Sequence, residues 1–429
     1  MKHRLKIYAI GLPVMALLLA GLVWLLNVRD EPDLSVAAAS PSALPAAADL
    51  VTRGEYLARA GNCMGCHTVR GGEPFAGGRA INTPFGTIFT SNLTSDPQHG
   101  IGQWTASEFW RAMHNGRSRD GRLLYPAFPY PNYTQVTRED SDAIHAYLKS
   151  VPPSAQANRP HELRWPYGTQ PALAVWRALY FAPGTYESDK RKSLAWNRGA
   201  YLVQGLGHCS ACHTPRNTLG ASDEALTLSG GLIPMQNWYA PSLASAAEAG
   251  VADWDMQHIV GLLKTGTSAR GAVTGPMAEV VLQSTQYLSV ADLTAMATFL
   301  KELPQAELPA PAANVPVADR SSPGGRLYEK HCAQCHGGDG KGVEGAYPPL
   351  AGNRAVTMKA TANLVQIVMN GGFAPATQGN PRPFGMPPFV LVLSDAEVAA
   401  TLSYVRGAWG NSAAEVSELE VARFRGMSR

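Results

Sequence analysis

The sequence predicts an all-α chain: three small helical domains in tandem behind an N-terminal membrane anchor or signal segment. Three observations predict it. The pattern Cys-x-x-Cys-His occurs three times, at well separated positions. Each copy is followed by a helix start in which Ser or Thr precedes an acid by three residues: Thr137 with Asp140, Ser289 with Asp292, Ser394 with Glu397. No stretch alternates apolar and polar residues for more than a few positions, which leaves no room for long strands.

The chain begins with Lys2, Arg4 and Lys6, and then Ile7 to Val28 runs for 22 residues without a charge. A bilayer span needs about 20 residues, whereas the apolar core of a signal peptide is usually ~7–15. The run is of spanning length, and the basic residues before it predict a cytoplasmic N-terminus with the rest exported. Pro13 is compatible with a membrane helix. The small residues Ala37-Ala38-Ala39 leave a cleaved signal open. Residues 1–28 are thus a signal anchor or signal peptide, and 29–50 read as an Ala/Pro-rich tether.

Domain 1 spans 51–152, domain 2 spans 191–303 and domain 3 spans 321–410. A Pro/Ala-rich linker covers 304–320, and 411–429 is a C-terminal tail. The block is internally repeated. Arg53-Gly54-Glu55-Tyr56-Leu57 precedes the first cysteine pair and Arg198-Gly199-Ala200-Tyr201-Leu202 the second. Trp104 lies twelve residues before Gly116, and Trp254 twelve before Gly266. Phe109, Ile259 and Leu364 lie seven before Gly116, Gly266 and Gly371. Residues 153–190 fit neither neighbour and hold Trp165, Trp176, Tyr180, Phe181 and Tyr186. They read as a packed connector gluing the first two domains, with an aromatic docking surface for a partner subunit as the sharper reading.

Composition narrows the function. With 36 basic and 33 acidic residues the net charge is +3, weaker than a nucleic-acid binder usually carries. Hydrophobic residues make up 45%, which rules out a disordered chain. The 42 Gly and 32 Pro imply many turns around short elements.

All six cysteines belong to the three motifs: Cys63-Met64-Gly65-Cys66-His67, Cys209-Ser210-Ala211-Cys212-His213 and Cys332-Ala333-Gln334-Cys335-His336. This is the c-type haem attachment sequence. Two thiols one helical turn apart reach the two vinyl groups of one porphyrin, and the next residue sets an imidazole beneath the iron. At this chain's Cys and His frequencies, chance supplies roughly 0.002 copies of the pattern. A zinc site would want two cysteine pairs on one metal, and a redox dithiol a thioredoxin-like βαβ context. Three covalent haems are expected, with His67, His213 and His336 as proximal ligands and no cysteine left for a disulfide.

Methionine is the usual distal ligand in electron-transfer cytochromes c, and it raises the potential. Met277, in Gly275-Pro276-Met277, lies 64 residues after His213. Met386, in Gly385-Met386-Pro387-Pro388, lies 50 after His336. Both sit on the loop before a capped helix, and this matching position makes them the expected distal ligands. The first domain departs from the pattern. Its loop places Phe128 61 residues after His67, and Phe cannot ligate iron. Met64 lies on the proximal side, and Met113, His114 and His99 read as structural, so the distal ligand of haem 1 is unassigned. Arg117, Arg119 and Arg122 follow, and at least one of them is expected to touch a propionate.

With these residues in view, the chain resembles the three-haem cytochrome c subunit of bacterial membrane-bound periplasmic dehydrogenases acting on gluconate, alcohol, sorbitol, fructose or aldehyde. The matching stretches include Thr83-Pro84-Phe85-Gly86, Gly100-Ile101-Gly102-Gln103-Trp104, Arg119-Asp120-Gly121 and Tyr125-Pro126-Ala127. Gly275-Pro276-Met277-Ala278-Glu279, Ser284-Thr285-Gln286-Tyr287-Leu288, Tyr347-Pro348-Pro349-Leu350 and Trp409-Gly410-Asn411 match as well. The resemblance implies three class I cytochrome c domains on the periplasmic side of the inner membrane. It also implies a catalytic dehydrogenase partner of flavin, quinone or molybdenum type, and delivery of electrons to membrane ubiquinone. Met277 and Met386 fall on the family's distal positions, and members commonly carry Met where Phe128 stands. The competing reading is a haem enzyme or gas-binding protein that uses an open distal site on haem 1.

Overall fold

The computed structural model describes residues 2–29, 31, 47–306, 315 and 318–426, and only the backbone of 2–11, 47 and 426. Most of the tether at 29–50 and of the linker at 304–320 therefore lies outside the described residues. The chain forms two compact units, one of residues 1–58 and 66–187, the other of 59–65 and 188–429.

The first unit opens with helix α1 (Lys2–Val28), which carries Pro13. From Leu12 to Leu25 nearly every large apolar side chain of α1 is exposed. Among the described residues no helix is long and apolar enough to cross a membrane. Next in the chain come α2 (Ala47–Ala60) and the short α3 (Cys63–His67), of which residues 59–65 group with the second unit, and the hairpin β1 (Ala80–Thr83) and β2 (Gly86–Phe89). Then follow α4 (Ala106–Asn115), α5 (Tyr130–Tyr133) and α6 (Arg138–Ser150). Helix α4 starts at a reciprocal capping box of Thr105 with Glu108 and ends on left-handed Gly116.

The connector is bound to this unit along its length. Asn92 donates to the carbonyls of Ser154 and Gln156. Strand β3 (Glu162–Leu163) adds to the edge of β2. Helix α7 (Gln170–Tyr180) buries Leu173 and Arg177. The Arg177 guanidinium donates to the Asn115 carbonyl at 2.6 Å and to Asn27 Oδ1 at 2.9 Å.

The second unit runs through α8 (Leu194–Ala200), the turn α9 (Ser210–His213), and the hairpin β4 (Gly231–Ile233) and β5 (Trp238–Ala240). It continues with α10 (Met256–Thr265), the hairpin β6 (Thr267–Ser268) and β7 (Gly271–Ala272), α11 (Gly275–Gln283) and α12 (Val290–Lys301). Then come α13 (Pro323–His331), α14 (Ala333–His336), α15 (Arg354–Thr357) and α16 (Ala362–Asn370). The pair β8 (Gly372–Phe373) and β9 (Gly385–Met386), α17 (Asp395–Gly407) and α18 (Glu418–Gly426) complete it.

One packing motif recurs three times. A helix before each cysteine pair crosses a later capped helix at a glycine. A Cβ on Gly54 would stand 1.9 Å from the Ala143 carbonyl oxygen; on Gly199, 1.9 Å from that of Ala295; on Gly324, 2.1 Å from that of Ala400. An aromatic residue four positions on closes each crossing: Tyr147, Phe299 and Tyr404. Only glycine permits backbones this close. Arg53 and Arg198, each just before its glycine, pair with Asp140 at 2.5 Å and Asp292 at 2.8 Å. The Thr137 and Ser289 hydroxyls accept from the Asp140 and Asp292 amides, and Ser394 with Glu397 forms a full reciprocal capping box like that of Thr105 with Glu108.

The glycine precedes its first cysteine by nine, ten and eight residues in turn. In the longest case a π-turn at Tyr201–Leu206 absorbs the added length. The C-terminal tail is not free. Helix α18 joins the core that holds Tyr328, Val365, Val398 and Leu402, and Val421 is fully buried there. Burying a Val or Leu side chain contributes about 1.5–3 kcal/mol, so the third segment extends past residue 410.

Candidate haem sites

Each Cys-x-x-Cys-His motif forms one helical turn. The His213 and His336 amides donate to the Cys209 and Cys332 carbonyls, both at 2.9 Å. The turn sets two thiols and an imidazole in register, and none of the six cysteines is in a disulfide. Burial pushes the Cys209 thiol up to about 12 and that of Cys332 up to about 11. The Cys212 thiol also moves up through burial. Among the described residues no three His, Cys, Asp or Glu side chains converge as a metal cluster.

Each histidine is held at two points. Its Nδ1 lies against a backbone carbonyl: Ser91 at 2.7 Å for His67, Pro241 at 2.6 Å for His213, Pro348 at 3.1 Å for His336. Its own carbonyl accepts from a glycine amide: Gly77 and Gly230 at 2.8 Å, Gly342 at 2.9 Å. All three glycines have positive φ. Burial lowers the basicity of all three imidazoles, partly offset by the carbonyl contact. A neutral ring whose Nδ1–H is spent on a carbonyl presents Nε2 as the donor, the tautomer an iron ligand needs.

The chain brings these carbonyls in by two routes. The β1–β2 and β4–β5 hairpins end just before Ser91 and Pro241, which explains acceptors 24 and 28 residues after their histidines. A shorter loop reaches Pro348 in 12 residues. The acceptors carry a sequence signal that residue-type reasoning missed. Each stands two places before a leucine: Leu93, Leu243 and Leu350.

The expected distal residues divide as follows. Met277 is half-buried in the first turn of α11, just after the β6–β7 hairpin. Met386 lies on β9 and packs against the third core. A Cβ on Gly371 would stand 2.3 Å from the Met386 carbonyl, so this glycine sets the approach of the methionine strand. Phe128 is half-buried, with its ring 5.4 Å from that of Tyr133 and 6.4 Å from that of Tyr130.

The other sulfur and nitrogen groups of the first segment have structural surroundings. Met64 accepts a long contact from Arg59 at 3.6 Å, and Met113 is buried in α4. His114 stacks on Trp110, with Nδ1 2.8 Å from the Thr134 carbonyl. The His99 amide donates to Asp96 at 2.6 Å. The three arginines are also engaged by the chain. Arg117 pairs with Glu31, Arg119 with Glu108 and Arg122 with Asp120.

The donor sets fit c-type haem. Each motif offers two thiols for the vinyl groups and one oriented imidazole; the expected distal methionines lie not on loops but in the first turn of α11 (Met277) and on β9 (Met386), each ahead of a capped helix. Comparison with known proteins agrees. The cytochrome c family model matches residues 51–152 and 321–409. The chain is 38% identical over 395 residues to the cytochrome c subunit of alcohol dehydrogenase (quinone) from Gluconobacter oxydans, covering 88% of this chain and 82% of that one. It is 38% identical to the gluconate 2-dehydrogenase cytochrome c subunit of Pantoea cypripedii, covering 88% and 89%. It is 36% identical to the fructose dehydrogenase cytochrome subunit of Gluconobacter japonicus, covering 95% and 87%. The chain belongs to the cytochrome c family, among the cytochrome c subunits of alcohol, gluconate and fructose dehydrogenases.

Proposed function

We propose that the chain is a triple-haem electron-transfer subunit, anchored at the periplasmic face of the inner membrane. It carries electrons from a dehydrogenase catalytic subunit to ubiquinone. The observation that carries this reading is the threefold histidine clamp, with Nδ1 on a carbonyl and the histidine carbonyl on a glycine amide.

Cys63 and Cys66, Cys209 and Cys212, and Cys332 and Cys335 hold the three groups by thioethers. His67, His213 and His336 supply the proximal nitrogen. Met277 and Met386 supply the distal sulfur in the second and third sites. Bound haem supplies a one-electron ferric/ferrous couple. The protein's part is to keep each imidazole neutral and fixed, to exclude water with the buried glycine crossings, and to set potentials by ligand choice. Phe128 withholds a sulfur from the first site, which favours a lower potential there. Helix α1, with its exposed apolar surface, is the anchor in this reading.

The partner is a sugar-acid, polyol, alcohol or aldehyde dehydrogenase; the relatives named for alcohol, gluconate and fructose dehydrogenases support a partner of this kind. The test is purification of the chain from membranes with its bound subunits. The complex should show all haems reduced on addition of a substrate and reoxidised by a ubiquinone analogue, while the isolated chain oxidises no substrate. A chain isolated alone that oxidises sugars or alcohols would contradict the reading.

A further inference from the structure

Helix α7 exposes an apolar stripe at four-residue spacing, made of Pro171, Val175 and Leu179. Val175 is 47% and Leu179 64% exposed, and the turn before the helix exposes Trp165 at 85%. The opposite face, Leu173 and Arg177, is buried on the first unit. Arg177 is the only charged residue between Trp165 and Phe181, and it is buried. A helix face that meets water normally carries charged or polar residues, and this one carries none.

The end of α1 is fastened to α7. The Asn27 amide donates to the Ala174 carbonyl at 2.9 Å, and Arg177 Nε donates to Asn27 Oδ1 at 2.9 Å. Arg29 donates to the Phe181 carbonyl at 3.0 Å, and Glu31 receives Arg117 at 3.1 Å. Asn27 is 8% exposed, whereas the α1 residues from Leu12 to Leu25 point outward. If α1 spans the bilayer, Asn27 and Arg29 mark the depth at which it leaves the hydrocarbon. A helix within hydrogen-bond distance of Asn27 then sits at headgroup level.

We infer that α7, with Trp165 and Tyr167, is an interfacial helix that lies on the phospholipid surface and holds the first unit against it. Exposed Trp and Tyr beside an apolar stripe suit this boundary. The inference rests on the reading of α1 as an anchor. It assigns the aromatic connector to the lipid surface rather than to a partner subunit.

The test uses the full haem-loaded chain in phosphatidylethanolamine/phosphatidylglycerol liposomes. With the native cysteines held by haem, Leu179→Cys and Val175→Cys, both at exposed positions, each take a single nitroxide label; Leu18→Cys reports on α1. Collision rates with oxygen, which partitions into lipid, and with a water-soluble nickel chelate are compared. The expected result is an oxygen-to-chelate ratio at positions 175 and 179 raised above that of the same labels in detergent-free, lipid-free protein, and highest at position 18. A lipid-like ratio at 18 with a water-like ratio at 175 and 179 overturns the α7 assignment alone and leaves its stripe for a protein partner. A water-like ratio at all three overturns the anchor and the assignment together.

Discussion

Gly54 and Ala143 pack so closely that a Cβ on the glycine would lie 1.9 Å from the alanine's carbonyl oxygen. The same contact joins Gly199 to Ala295 and Gly324 to Ala400. Backbone, not a flexible side chain, fills the space, so nothing nearby can yield cheaply. Gly54→Ala, Gly199→Ala and Gly324→Ala should each destabilise their own segment by about 1–3 kcal/mol or more. Thermal melts followed by circular dichroism check this. Wild-type melting for all three variants would show that the crossings are looser than described.

The distal side gives a spectroscopic prediction. Met277→Ala and Met386→Ala should each remove the methionine-sulfur-to-iron charge transfer of one ferric haem and lower one potential of the three. Phe128→Met should add such a signal and raise the lowest potential. Redox titration with optical detection reads all three. An unchanged spectrum in Met386→Ala would remove that residue from the ligand set.

His145 gives the pH prediction. Burial holds its imidazole down at about 4, against a contact of Nε2 with the Trp104 carbonyl at 3.1 Å. The unfolded imidazole titrates near about 6.5. Between those values the unfolded chain binds the extra proton, so stability falls as pH falls through that window. The loss should approach about 2–3 kcal/mol by pH 4. His145→Gln, which keeps a donor for the carbonyl, should remove this part of the slope. Denaturant unfolding of the first unit at pH 7 and pH 4.5 measures it, and an identical slope in the variant would contradict the assignment.

In the second unit Asn363 and Tyr239 exchange two hydrogen bonds. The Tyr239 amide donates to Asn363 Oδ1 at 2.9 Å, and Asn363 Nδ2 donates to the Tyr239 carbonyl at 2.8 Å. Arg354 adds contacts to the Gly250 carbonyl at 2.7 Å and to Asp253 at 2.5 Å. The first pair ties α16 to β5 and Arg354 ties α15 to the loop after β5, so the second and third segments should melt together. Asn363→Ala leaves a backbone donor and acceptor unmatched, at about 1–3 kcal/mol. Calorimetry should show the single transition of this unit broadening or splitting, and an unaltered transition would locate the coupling elsewhere.

Much of this was legible in the sequence because it depends on local geometry. The attachment turns and the caps at Thr137, Ser289 and Ser394 follow from short-range rules, and the repeat-marking glycines 116, 266 and 371 prove to end helices. What escaped depends on partners distant in sequence. Asp140 and Asp292 fit a capping box on spacing, and that spacing gives no hint of their ion pairs with Arg53 and Arg198 across the helix crossing. Gly324 is the third crossing glycine, but its distance to the cysteine is two residues shorter than that of Gly199, which hid the match. The carbonyls that orient the histidines have no side-chain identity, so Ser91 does the work of Pro241 and Pro348. The tail packs because Val416, Val421 and Phe424 find a core the spacing alone could not show.

The central claim is that all three motifs carry covalent haem, including the segment between the two stretches that match the cytochrome c family model. Intact-protein mass spectrometry of the chain purified from membranes, with Cys209→Ser/Cys212→Ser alongside, tests it most directly. The account predicts the polypeptide mass plus three haems for the wild type and plus two for the variant. A wild-type mass corresponding to two haems, unchanged in the variant, would contradict it.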